Sequence, residues 1–117
     1  MVRRKKGFGQ GDIVKLCLNP TSGREIQGEE RPALILSQHG FNNLGMVLVA
    51  PITQGGNYSR YNGFTVTLSG TGSKTQGVIL MNQVKMVDLE SRNGKFIESA
   101  NPIVVEDALA KLMAIIE

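Results

Sequence analysis

Apolar and polar positions alternate from Asp12 to Asn19, with Val14, Leu16 and Leu18 on one side and Ile13, Lys15 and Cys17 on the other. A period of two belongs to a β-strand, whose successive side chains point to opposite faces. Asn19-Pro20-Thr21-Ser22-Gly23 supplies turn residues, and Arg24 to Glu30 is too polar for a core, so a long hairpin loop is predicted there. Ala33-Leu34-Ile35-Leu36-Ser37 and Val47-Leu48-Val49-Ala50-Pro51-Ile52-Thr53 are continuously apolar, the pattern of central strands buried on both faces. Proline cannot donate to a strand ladder, so the second of these is expected to end or bulge at Pro51 and to present Thr53 at its tip. Gln38 to Gly45, rich in Gly and Asn, reads as the loop between them.

Farther on, Phe64, Val66 and Leu68 alternate with Thr65 and Thr67, which predicts a half-exposed strand. Gly77 to Met81 and Val84 to Leu89 read as two more, and Phe96-Ile97 as a short one after the Asn93-Gly94 turn. The period then changes. Asn101-Pro102 offers an N-cap and a first-turn proline, after which Val105, Ala108, Leu109, Leu112 and Ile116 fall on one helical face. The expected fold is mainly β with a C-terminal α-helix, the helix closing a small barrel or strongly bent sheet.

At 117 residues and 41% hydrophobic, the chain has apolar material for one core, so residues 11–117 are read as one domain preceded by an arm at 1–10. One cysteine, Cys17, excludes an intrachain disulfide framework and every multi-cysteine zinc set. One histidine, His39, excludes paired-histidine chemistry, so the expected chemistry uses no metal and no cofactor. No apolar run is long enough to cross a bilayer, and the basic start leads into a turn, from which a cytoplasmic location is expected. The net charge of +3 does not establish nucleic-acid binding. Arg3, Arg4, Lys5 and Lys6 form a basic arm whose alternative role is solubility alone.

Gly11-Asp12-Ile13-Val14, Asn19-Pro20-Thr21-Ser22-Gly23-Arg24-Glu25 with Gly28, Arg31-Pro32-Ala33-Leu34-Ile35-Leu36-Ser37, Phe41-Asn42, Ala50-Pro51-Ile52-Thr53 and Asn82-Gln83-Val84 follow one another in an order that resembles the PemK/MazF-like toxin family. The run from Val49 to Asn57 is most similar to the ChpB-type branch. The resemblance implies an SH3-like barrel of the PemK/MazF/CcdB toxin type, acting as a homodimeric, sequence-selective endoribonuclease on single-stranded RNA and held in check by a cognate antitoxin. It further implies DNA contact only through the antitoxin complex. The implied reaction is attack by a ribose 2′-hydroxyl on the adjacent phosphate, leaving 2′,3′-cyclic phosphate and 5′-hydroxyl ends.

That reaction needs groups that hold phosphate oxygens. A planar guanidinium holds two at once, which makes Arg31 the first catalytic candidate, with a surface ion pair to Glu25, Glu29 or Glu30 as the alternative. Thr53 matches the family's hydroxyl at the end of the proline-containing strand, and Arg24 is a candidate second cation. Substrate contacts are implied for Asp12, Glu25, Gln54, Tyr58, Arg60, Asn82 and Gln83. Tyr58, Arg60 and Tyr61 interleave rings and charge, a composition that stacks unpaired bases while following phosphates. The chain departs from one branch of the family at Leu80 and Asn82, where that branch carries an Arg and an Asp. Leucine stabilises no charge and an amide takes no proton, so a carboxylate-base scheme does not transfer. Two rival classes stay open: a non-enzymatic gyrase poison of the CcdB kind, against which the absence of tryptophan speaks, and a nucleic-acid-binding module without catalysis.

Overall fold

The computed structural model describes residues 7–17, 30–54 and 63–117. Among them are strands β1 (Asp12–Cys17), β2 (Glu30–Ile35), β3 (Val47–Thr53), β4 (Thr65–Thr67), β5 (Val78–Leu80), β6 (Lys85–Val87) and β7 (Lys95–Ser99). Helix α1 (His39–Asn42) separates β2 from β3, a 3-10 turn (Met81–Gln83) follows β5, and helix α2 (Pro102–Ile116) ends the chain. Every pairing is antiparallel, in the order β4-β5-β3-β2-β1-β7, with β6 also on β3.

The continuous apolar runs do lie at the centre, buried on both faces. Ile13, Leu34, Ala50 and Ile52 pack on one side with Val66, Ile79, Met81 and the α2 residues Val104 and Ala108. Their chain neighbours Val14, Leu16, Ala33, Ile35, Val47 and Val49 pack on the other with Val87, Leu89 and Phe8. Strand alternation alone sorts these residues, and each large side chain removed from water contributes about 1.5–3 kcal/mol.

Three expectations change. β3 runs through Pro51 to Thr53 instead of stopping at the proline. Pro51 falls between Val49, which pairs with Lys85 of β6, and Ile52, which pairs with Ile79 of β5, so it occupies the point where the strand exchanges one neighbour for the other. The loop after β2 contains one helical turn, because buried Asn42 donates its amide to the Phe8 and Ser37 carbonyls at 2.8 and 3.0 Å. Those bonds are tertiary and leave no periodic trace. In α2 the buried residues are Val104 and Ala108, while Ile116 is 67% exposed. Of the expected face, Ala108, Leu109 and Leu112 do pack on the core, joined by Val104 in the first turn, as the helix lies across β4 and the 3-10 turn; the last residue of the stripe falls outside it.

Side chains join the two ends of the sheet. Glu98 on β7 accepts hydrogen bonds from the Lys74 and Thr75 backbone N–H groups at 3.1 and 2.8 Å, in the loop between β4 and β5. Asn101 caps α2 by accepting from Ile103 N–H at 2.8 Å and donates to the Thr71 carbonyl at 3.3 Å. These contacts bring the β7 edge against the β4–β5 loop and give the sheet its barrel form.

Candidate active site

Arg31 occupies the second position of β2, exposed and directly opposite Leu16 of β1. The apolar run that follows it fixes the strand, so the arginine projects from a rigid rim and not from a loop. On its other side β2 pairs with β3 in the register Ala33↔Pro51, Leu34↔Ala50 and Ile35↔Val49. The ladder ends at Ala33↔Pro51, with Arg31 two residues before Ala33 and Thr53 two residues after Pro51, so both stand at the same end of the β2–β3 pair and on the face of Ala33 and Pro51. A guanidinium and a hydroxyl thus share one end of the strand pair.

Thr53 is half-buried and is held on its second side by β5, where it pairs with Val78. The residue before Val78 makes that possible. Gly77 has φ +128°, and a Cβ added there would lie 2.5 Å from the Thr53 carbonyl oxygen. Only glycine combines this backbone conformation with so close an approach. Sequence reasoning treated Gly77 merely as a strand start; a glycine at that place was the available sign of a close backbone approach. Gln54 follows Thr53, is exposed, and donates its amide to the Gln76 carbonyl at 3.3 Å.

Other candidates are not gathered here. Asp12 lies at the opposite end of β1, four strand residues, or about 13 Å, from Leu16. It is 3% exposed, and its carboxylate accepts from Gly9 N–H at 2.9 Å and Ser99 Oγ at 3.5 Å. Asn82 and Gln83 are exposed on the 3-10 turn, beyond the end of β5 that faces away from Thr53. Leu80 is buried at 5% exposure and is part of the core. Arg24, Glu25, Tyr58 and Arg60 lie outside the described residues. Among the described residues no three His, Cys, Asp or Glu side chains gather as a metal-ligand set. None of their helices is long and apolar enough to cross a membrane.

A small antiparallel barrel with one C-terminal helix, carrying a guanidinium and a hydroxyl together at one rim, is a scaffold suited to an anionic group. Among solved structures the backbone is similar to a MazE-MazF crystal structure from Deinococcus radiodurans, with TM-score 0.76, 28% identity, and coverage of 92% of this chain and 94% of that one. The chain belongs to the PemK-like, MazF-like toxin family of type II toxin-antitoxin systems, whose sequence profile matches residues 9–116. It is 53% identical over 114 residues to the endoribonuclease toxin ChpB of Escherichia coli K12, covering 97% of this chain and 98% of that one. It is also 38% identical to the endoribonuclease PemK of Escherichia coli, covering 99% and 87%.

Proposed function

We propose that the protein is the endoribonuclease toxin of a type II toxin-antitoxin pair, with Arg31 and Thr53 at its catalytic centre. Their place at one end of the β2–β3 pair, in a chain 53% identical to an endoribonuclease toxin, is the observation that carries the reading. The substrate is single-stranded RNA. The ribose 2′-hydroxyl loses its proton as its oxygen bonds to phosphorus, the bond from phosphorus to the 5′ oxygen breaks, and the leaving oxygen takes up a proton. Negative charge grows on the non-bridging oxygens in the transition state. A guanidinium donating to two of them favours that state over the ground state, and the Thr53 hydroxyl orients the phosphate or the attacking group. Arg24 supplies a second cation, and an antitoxin of acidic, extended character covers the same face.

The attacking group sets the test. An RNA oligonucleotide with a single 2′-deoxy substitution at its mapped cut is expected to resist cleavage there while binding as before. Cleavage of the deoxy-substituted bond at the rate of the all-ribose control overturns the reading.

A further inference from the structure

Behind the rim that carries Arg31 and Thr53, on the opposite face of the strands, is a cleft of about 300 Å³. That is the lower end of the range for small-ligand sites. Its walls include Lys15, Pro32, Gln54, Lys74, Gln76 and Ile97. Pro32 and Gln54 are the chain neighbours of Arg31 and Thr53, so a strand of RNA crossing the rim passes from one face to the other within a residue.

The cleft brings two lysines, Lys15 and Lys74, to one place among the described residues. Lys15 stands directly opposite Lys95 across β1 and β7, a like-charge pair that costs stability in a sheet. Neither of them, nor Lys74, makes an ion pair with another described residue. Two of the described acids lie near them in the sheet. Glu98 has its carboxylate committed to the Lys74 and Thr75 N–H groups, and so builds the wall without filling the space. Glu30, paired with Cys17, lies on the same side of the sheet as Lys15 and makes no ion pair with another described residue. Of these charged side chains, Lys15 and Lys74 are the ones that line the cleft.

The remaining walls suit more than a bare anion. Half-buried Pro32 and Ile97 give an apolar surface for a ribose or base, and the Gln54 and Gln76 side chains bring amide donors and acceptors to its edge. We propose that the cleft is the subsite for the nucleotide next beyond the two that share the scissile phosphate, with Lys15 and Lys74 on its phosphate and Gln54 and Gln76 at its base. The proposal rests on the endoribonuclease reading and makes Lys15 and Lys74 positioning residues, not catalytic ones.

The test compares wild type with K15Q, K74Q and the double variant, each checked for native circular dichroism. The substrates are a ten-nucleotide RNA with one mapped cut, its uncleavable 2′-deoxy form, and the dinucleotide that spans the cut. The double variant is expected to bind the deoxy decamer about tenfold more weakly, with a salt slope shallower by about 0.7 for the one phosphate both lysines hold on a single strand. Its kcat on the decamer stays near wild type, and on the dinucleotide the two proteins behave alike. Wild-type affinity and salt slope in the double variant overturn the proposal, as does an equal loss on the dinucleotide. Unchanged RNA binding with lost affinity for a decaglutamate peptide makes the cleft an acidic-peptide dock and overturns it as well. Failure of the wild type to cleave any RNA is a distinct result, which overturns the endoribonuclease reading itself.

Discussion

Arg31 and Thr53 come to one end of the β2–β3 pair although twenty-one residues of chain separate them, because β2 and β3 fold back on one another in a register set by buried residues. A one-residue slip would send Leu34, Ala50 and Ile52 to the wrong face, so core packing also fixes the rim. Arg31→Ala is expected to lower the cleavage rate about 10²–10³-fold while the unfolding midpoint hardly moves, since the residue is exposed. Arg31→Lys should recover little of this, because an ammonium lacks the planar fork. Rates and denaturant curves measured on the same preparations separate the two effects. Gly77→Ala should behave differently and lose stability and activity together, since its methyl collides with the Thr53 carbonyl. The place of Arg31 at a strand start was legible in the sequence because it stands where a polar stretch meets a buried strand. Gly77 was not, because its constraint comes from another strand. Asp12 shows the converse: the family resemblance implies a substrate contact for it, and its position at a strand start gives no sign that its carboxylate is buried on Gly9 and Ser99.

Among the described residues, periodicity located all seven strands and the final helix, because each has an apolar face that repeats at its own spacing. It failed where an element depends on its neighbours. Pro51 could pass through β3 only because that strand changes partner there, and α1 exists through the bonds of Asn42. The join between β7 and the β4–β5 loop was equally invisible, since nothing near Glu98 in sequence names Lys74 and Thr75. Burial pushes the Glu98 carboxyl up, but hydrogen bonds from Thr75 and Lys74 and the Lys74 charge outweigh it, leaving the pKa below its ordinary value of 4.5. A carboxyl lowered on folding stabilises the native state at pH above 4.5 and loses that contribution as pH falls through the folded value. Glu98→Gln is accordingly expected to destabilise the protein at about pH 7 and to flatten the decline of stability in acid. Urea titrations on both sides of that range read this directly.

At the scale of the whole molecule, α2 leaves Ile103, Met113, Ile115 and Ile116 between 42% and 72% exposed, more apolar surface than a helix packed on its own barrel requires. We expect a second copy of the chain to cover part of it. Light scattering should report a homodimer at micromolar concentration, and Ile116→Glu should shift it toward monomer without lowering the helical signal. Fold and function class could be reached from the sequence because ordered strand motifs carry them; the active face was legible only in part, since Arg24, Glu25, Tyr58 and Arg60 lie on segments that no apolar pattern constrains. The most direct measurement of the account is the chemistry of the cut ends. Purified protein is incubated with a defined single-stranded RNA, with and without EDTA, and the fragments are identified by mass spectrometry. Expected are 2′,3′-cyclic phosphate and 5′-hydroxyl ends formed equally in both, and formed about 10²–10³-fold more slowly by Arg31→Ala. Fragments ending in 3′-hydroxyl and 5′-phosphate, or cleavage abolished by EDTA, would contradict the account.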